Sequence, residues 1–230
     1  MHLHIHAKNQ NSQKLLIGQA CGSYAFYLYS SSLLASSSSS SQLAKDLRRL
    51  DSPTSSKLCH ARVYCCCDGL FFMGIWSNPY STLLMLWNSS TRESIILPGH
   101  PEEEYTYGTG CDSTSDDYKI LGVDMNDEAS DQILSLKRGS WRNIEETSVR
   151  LSDTIISDRE VCLPFVHGAL HWIGMSYPSR SVVSFNISDE KYGEIPLPAF
   201  EYCPAVVRMG VSVLGGRLCV YRDSIITFNL

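Results

Sequence analysis

The sequence lacks a long hydrophobic run. Residues 70–76 form its longest apolar segment, which has the length of one strand and not the ~18 residues that a membrane-spanning helix requires. The N-terminal residues also lack the cationic, apolar and small-residue regions of a secretory signal. We therefore predict no membrane association and a cytoplasmic or nuclear location.

An excess of positive charge is missing as well. The 19 Lys and Arg residues stand against 24 Asp and Glu residues, which gives a formal net charge of −5. A chain of this charge offers no basic field to nucleic acid phosphates or anionic lipids. Nucleic acids and membranes are therefore not predicted as partners.

Motifs of catalysis and cofactor binding are not found either. The nine cysteines are odd in number and contain no Cys-x-x-Cys pair, which predicts reduced thiols and no structural zinc. No Gly-x-Ser-x-Gly occurs, and Gly108-Thr109-Gly110 lacks the third glycine of a phosphate-binding loop. His167 and His171 are expected on a turn and in a strand, not as a metal pair. We predict no cofactor, no metal and no enzymatic activity.

The composition itself is that of a folded protein, with 43% hydrophobic and 19% charged residues in 230. Residues 1–13 are predicted to be disordered, and the Ser-rich segment 30–57 to be a loop containing one short helix at 42–50. Between them, 15–17 and 24–29 are expected to form a β-hairpin.

From residue 58 onward the sequence is internally repetitive. Short apolar strands alternate with Gly-, Asn- and Asp-containing turns, and the anchors Trp87, Leu136, Phe185 and Phe228 follow one another at intervals of 49, 49 and 43 residues. Propeller blades recur at about 40–50 residues. The predicted fold is therefore all-β, a propeller or partial propeller of four-stranded antiparallel units at 58–98, 105–145, 161–198 and 206–230.

In a four-stranded meander, alternate connections lie at opposite ends of the sheet. One end is expected to carry only tight turns, among them those at Gly69 and Gly168. The other is expected to carry long loops at 76–82, 124–131 and 176–181 and the links between units. Recognition is expected at this long-loop end.

Aromatic residues supply the candidate binding positions. Trp76, Tyr80, Tyr177 and Tyr202 are placed by the pattern on the long-loop end, where aromatic side chains act as interface anchors; the alternative is that they cover the ends of the core. The remaining tryptophans, together with Phe185, are assigned to structural packing at comparable places in the repeats: Trp87, Trp141 and Trp172.

Four segments carry a family resemblance: 86–93 (LWNSSTRE), 107–119 (YGTGCDSTSDDYK), 166–172 (VHGALHW) and 187–198 (ISDEKYGEIPLP). The region from Lys14 to Leu230 resembles the F-box-associated, kelch-like interaction domain of plant F-box proteins. This resemblance implies a module that recognises protein substrates for a cullin-type ubiquitin ligase.

Two departures from the family pattern affect that expectation. No F-box segment precedes Lys14, and the fourth unit stops at Leu230 before its last strand. Binding to a ligase adaptor is therefore expected only if an F-box is supplied from elsewhere. Two alternatives stay open: a truncated product without function, and a carbohydrate-active enzyme on a propeller scaffold, which would need two converging carboxylates.

Overall fold

Every helix or strand position in the described part of the chain is a β-strand, which confirms the all-β prediction. The computed structural model describes residues 14–20, 26–32, 48–50, 60–78, 81–99, 105–124, 130–144, 162–176, 179–197 and 207–224. The chain divides into two compact units, Met1–Gly99 and His100–Leu230.

The first unit holds two antiparallel sheets whose strands follow in chain order. A three-stranded sheet consists of β1 (Lys14–Ala20), β2 (Phe26–Ser32) and β3 (Arg48–Arg49). The next, sheet I, is four-stranded and consists of β4 (His60–Cys67), β5 (Leu70–Asn78), β6 (Ser81–Asn88) and β7 (Glu93–Ile96).

The second unit repeats this meander. Sheet II consists of β8 (Tyr105–Asp112), β9 (Asp117–Asp124), β10 (Gln132–Ser135) and β11 (Ser140–Asn143). Sheet III consists of β12 (Phe165–Val166), β13 (Ala169–Ser176), β14 (Ser179–Asn186) and β15 (Tyr192–Pro196). Sheet IV is described as two strands, β16 (Val207–Leu214) and β17 (Arg217–Ser224).

The predicted four-stranded units are confirmed by sheets I, II and III, including the register of their anchors. Trp87 and Phe185 are each the last residue but one of the third strand, and they lie opposite Phe71 and Leu170 of the second strand. The equivalent Leu136 directly follows β10 and donates its amide to the carbonyl of Tyr118. The fourth anchor, Phe228, lies outside the described residues.

The N-terminal predictions are partly corrected. The predicted hairpin is confirmed by the pairing of Ile17 with Tyr29. However, β2 continues to Ser32, inside the segment predicted as a loop, and Arg48 and Arg49 form a strand and not the end of a helix. Pairing of Arg48 with Ser30 supplies backbone hydrogen bonds that the local sequence does not reveal. The predicted disorder at 1–13 and residues 42–47 of the predicted helix lie outside the described residues.

The tight turns occur where they were predicted. Asp68-Gly69 and His167-Gly168 connect the first two strands of sheets I and III with both central residues at positive φ, 49° and 79° in one turn and 51° and 81° in the other. These are the angles of a type I′ turn, which favours glycine at its second central position because a Cβ is disfavoured there.

A second kind of turn follows the third strands of sheets I and III. Asn88 and Asn186 end the third strands of sheets I and III, and each side-chain oxygen accepts hydrogen bonds from the amides two and three residues later. Each turn closes on a residue at positive φ, Arg92 at 62° and Glu190 at 57°. Asn88 and Asn186 therefore close Asx turns.

The expectation of long loops at the opposite end is wrong for two of the three sheets. In sheet I, Asn78 pairs with Ser81, and in sheet III, Ser176 pairs with Ser179. Only sheet II has a longer connection, from Asp124 to Gln132. Polar residues near the strand ends resemble loop sequences, but ladder hydrogen bonds join backbone groups and do not require apolar side chains.

Each unit has its own apolar cluster. In the first unit, Trp87 packs with Met73, Ile75 and Met85. In the second, buried side chains of sheets II and III form one cluster that includes Leu121, Ile133, Leu163, Leu170, Trp172, Val183 and Phe185.

The glycine pair of β8 allows sheets II and III to approach closely. A Cβ at Gly108 would stand 2.7 Å from Leu163 Cβ, and one at Gly110 would stand 2.5 Å from the ring of Phe165. The Leu163 amide also donates to the carbonyl of Tyr107 at 3.2 Å. Gly108-Thr109-Gly110 is therefore a packing surface for sheet III.

Candidate functional site

Of the four predicted partner-binding aromatics, the structure describes one. Trp76 is half-buried near the end of β5 and lies opposite His60 and Thr82. The register shifts between Trp76 and Asn78, so Ser77 is an extra residue that bends the strand. The other three, Tyr80, Tyr177 and Tyr202, lie outside the described residues, and the partner-binding assignment stays a prediction.

The residues assigned to packing differ in position. Trp87 and Trp172 are 2% and 4% exposed and belong to the clusters of their units. Trp141 is half-buried, with its ring centroid 6.3 Å from that of Tyr107 in the same sheet. These tryptophans lie on the third, second and fourth strands of their sheets. Their predicted equivalence in the repeats is therefore wrong, although Trp87 and Phe185 are equivalent.

The most complete polar site among the described residues joins sheets II and III. It consists of Asp112, Lys119, Arg142, Ser188 and Glu190, and is called the latch below. Lys119 Nζ lies 3.0 Å from Asp112 Oδ2 and 2.9 Å from Glu190 Oε1. Arg142 pairs with the other oxygen of Glu190, and Ser188 Oγ donates to Asp112 Oδ1 at 2.7 Å.

Turn geometry builds the latch. Asp112 ends β8, and its Oδ1 accepts hydrogen bonds from the amides of Thr114 and Ser115 in an Asx turn. Lys119 is the third residue of β9 and also donates to the carbonyl of Ile187 at 2.9 Å. Because Ile187 belongs to the Asx turn of sheet III, the latch binds a turn of one sheet to a turn of the next.

Burial and charge keep the latch ionised. Burial alone would raise the pKa of the Asp112 carboxyl, but hydrogen bonds from Ser115, Ser188 and Lys119 bring that pKa well below its ordinary value. Burial likewise opposes the charge of Lys119, yet Glu190 and Asp112 raise its pKa. Burial would raise the pKa of Glu190 as well, but hydrogen bonds and ion pairs with Arg142 and Lys119 lower that pKa below its ordinary value. Two carboxylates and two cations therefore balance one another.

A neighbouring carboxylate, Asp117, is also held by its turn. It is 5% exposed, accepts the Ser135 hydroxyl at 2.5 Å and accepts the amide of Lys137 at 3.0 Å. The adjacent Asp116, by contrast, is exposed.

The chemistry of these groups is structural. Asp112 accepts five hydrogen bonds from Thr114, Ser115, Lys119 and Ser188, so its lone pairs are occupied. Within the described part of the chain, no group of three or more His, Cys, Asp or Glu side chains is arranged to hold a metal ion. The residues that the structure describes also contain no helix that is long and apolar enough to cross a membrane.

Sequence reasoning did not find the latch. A lysine within an apolar strand was one available signal, since Lys119 is only 9% exposed. Its partner Glu190 is 71 residues away, and no local pattern connects the two.

One buried histidine introduces a dependence on pH. His171 lies on β13, is 7% exposed, and its Nδ1 has no hydrogen-bond partner among the described residues. Burial lowers its pKa. In the unfolded chain the pKa is about 6.5, so the unfolded state binds more protons as the pH falls through this region. The stabilisation from neutral His171 is therefore complete above pH ~6.5 and is lost as the pH falls towards the folded-state pKa.

We expect the urea concentration at the midpoint of unfolding to decrease when the pH is lowered from 7.5 to 5.5. The decrease should be smaller in His171→Leu than in the unchanged chain. Each unit of pKa difference corresponds to about 1.4 kcal/mol. Asp112 changes the pH dependence of stability only at lower pH, below its unfolded pKa of about 3.8. The effects of His171 and Asp112 are therefore separated in pH. The exposed turn residue His167, changed to Asn, is the control; an equal loss of pH dependence in both variants contradicts the assignment.

Repeated four-stranded antiparallel meanders, of which sheets II and III pack closely on each other, are the building units of β-propeller domains. Residues 23–226 match the model of the family described as "F-box associated beta propeller domain". The match covers most of the chain, so the chain belongs to the F-box associated beta propeller domain family. The predicted resemblance and the propeller fold class are thereby confirmed.

Individual relatives agree with this family. The chain is 30% identical to the F-box protein CPR1 of Arabidopsis thaliana over 180 residues, which cover 64% of this chain and 43% of the relative. It is 26% identical to an F-box/kelch-repeat protein of the same plant over 142 residues, which cover 57% and 37%. The chain thus spans less than half the length of these relatives.

Proposed function

We propose that the chain is a protein-binding module that holds a protein substrate for a cullin-type ubiquitin ligase and performs no catalysis itself. The family match over residues 23–226 is the observation that carries this proposal. Relatives named as F-box proteins support it. In this proposal the propeller domain binds the substrate in the cytoplasm or nucleus, and an F-box segment is what would bind the ligase adaptor.

The described turns favour rigid presentation over catalysis. Asp112 and Asp117 are buried carboxylates held by hydroxyl groups and main-chain amides. A glycoside hydrolase needs two carboxyl groups that face a sugar across a cleft. Because both aspartates are already occupied by their own turns, neither supports the alternative of a carbohydrate-active enzyme.

We place a candidate binding surface in each unit, at the sheet ends that carry the connections between second and third strands. In the first unit, this end has half-buried Trp76 at a β-bulge, a feature that re-aims side chains, and Tyr80 follows four residues later in the sequence. In the second unit, Tyr177 follows β13 directly, and Tyr202 precedes β16. Large aromatic side chains of this kind supply much of the binding free energy in protein interfaces.

Replacing Trp76 by Ala is expected to weaken partner binding by about tenfold or more, since loss of an aromatic hot spot costs about 2 kcal/mol or more and each 1.4 kcal/mol is about tenfold. Affinity capture from plant extract followed by quantitative mass spectrometry would identify partners retained by the unchanged chain. Titration of a captured partner against the variant would then measure the affinity. Tyr80→Ala and Tyr177→Ala extend the same test.

Tyr221→Ala is the matched control, because Tyr221 is 51% exposed on sheet IV and lies outside the proposed surface. Its partner affinity should stay within about twofold of the unchanged chain. If the Trp76, Tyr80 and Tyr177 variants bind as the control does, the proposed surface is wrong. If no protein is enriched by the unchanged chain, the binding function itself fails.

A further inference from the structure

Ser188 stands at the junction of two sheets. It belongs to the turn between β14 and β15 of sheet III, but its hydroxyl donates to Asp112 Oδ1 of sheet II at 2.7 Å. Ser188 itself is exposed, whereas Asp112 is 2% exposed. An exposed residue thus contributes its hydroxyl group to an ionic contact around a buried carboxylate.

The latch has no capacity for further negative charge. Asp112 and Glu190 share Lys119, and Arg142 neutralises the second carboxylate. Within this set, every cation already faces a carboxylate. An additional anion on Ser188 would compete for Lys119 and repel Asp112.

The two residues that follow Ser188 are acidic, and the third, Lys191, is basic. Asp189 is exposed and follows directly, and Glu190 comes next. Protein kinases select substrates by such charge patterns next to the acceptor hydroxyl group. We propose that Ser188 is a phosphorylation site for an acid-directed serine/threonine kinase, and that its phosphorylation opens the latch between sheets II and III.

The modification transfers the γ-phosphoryl group of ATP. A bond forms between Ser188 Oγ and the γ-phosphorus, the bond from that phosphorus to the bridging oxygen of ADP breaks, and the hydroxyl proton passes to a base of the kinase. The donor to Asp112 is thereby lost, and a group with a charge of about −1.5 to −2 takes its place.

The chain contains a matched control for this effect. Ser90 occupies the same place in the turn of sheet I, where its amide donates to Asn88 Oδ1 at 2.9 Å, as the Ser188 amide donates to Asn186 Oδ1 at 2.9 Å. Both serines are exposed. Of the two hydroxyl groups, only that of Ser188 contacts a buried carboxylate.

The first test asks whether the folded chain is a substrate. The full chain and a peptide of residues 183–194 are incubated with an acid-directed serine/threonine kinase and ATP, and phosphate is located by mass spectrometry. Phosphate on Ser188 in both is expected. If either the peptide or the folded chain remains unmodified at Ser188, the site assignment is overturned.

The second test isolates the effect on the latch. Phosphoserine is incorporated at position 188 or at position 90 by codon reassignment, and Tm is measured. The Tm should fall by roughly 4–8 °C for position 188 and by less than about 2 °C for position 90. Amide exchange at Leu163, which bonds across the same two sheets, should accelerate by about tenfold or more with position 188 alone.

A third measurement separates charge repulsion from general damage. In an Asp112→Asn background the repelling charge is absent, so phosphoserine at position 188 should lower Tm by no more than about half as much. An equal loss with Asp112 and with Asn, an equal loss at positions 90 and 188, or a rise in Tm would each overturn the proposed opening of the latch.

Discussion

Replacement of Lys119 by Met is expected to lower the free energy of unfolding by about 3–5 kcal/mol, because removal of one partner leaves buried charge uncompensated. The side chains of Lys119 and Asp112 are 11% and 3% exposed, and Glu190 depends on the same cation. Met retains most of the aliphatic length of the Lys side chain, so the loss of unfolding free energy measures the contribution of the charge. Urea unfolding at pH 7 measures it.

Lys191→Met is the control for this variant, since Lys191 is exposed and follows Glu190 in the same turn. Its effect should stay within about 0.5 kcal/mol. Adding Asp112→Asn to Lys119→Met should recover part of the loss, because a neutral amide no longer needs the cation. Equal effects of Lys119→Met and Lys191→Met would show that the latch does not stabilise the fold.

Replacement of Gly108 by Val should lower the free energy of unfolding by about 3 kcal/mol, at the upper end of the usual cost of overpacking. A Cβ at this position would lie 2.7 Å from both Leu163 Cβ and a methyl group of Leu170. Neither leucine side chain can shift easily, because Leu163 and Leu170 are 1% and 0% exposed within the cluster of sheets II and III. Urea unfolding gives the magnitude.

The control is Gly99→Val, because a Cβ at Gly99 meets nothing within 4 Å among the described residues. Its stability should change by less than about 0.5 kcal/mol. If Gly108→Val is as stable as Gly99→Val, close approach of β8 to sheet III does not contribute to stability.

Much of the strand pattern could be predicted from sequence because each sheet is a local meander. Strands joined by turns of a few residues must pair with their chain neighbours. Turn chemistry then sets the register: Asp68-Gly69 and His167-Gly168 require type I′ angles, and Asn88 and Asn186 close Asx turns. The spacing of Trp87 and Phe185 followed from these features.

The sequence interpretation failed where pairing overrides composition. Ser, Asn and Pro near residues 78–81 and 176–179 resemble loop sequences, yet backbone pairing extends the strands to Asn78 and Ser176. Arg48 and Arg49 became a strand for the same reason, because β2 supplied a partner. Local propensity is a weak guide when a neighbouring strand offers hydrogen bonds.

The sequence alone determined the all-β class, the repeat of four strands, the tight turns and the resemblance to its family, since all of these depend on residues close together in the chain. Only the tertiary structure decided that Gly108 and Gly110 are packing surfaces and that Asp112, Lys119, Ser188 and Glu190 form one ionic site. The reason is distance along the chain: Lys119 and Glu190 are 71 residues apart, and their contact exists only because sheets II and III pack against each other.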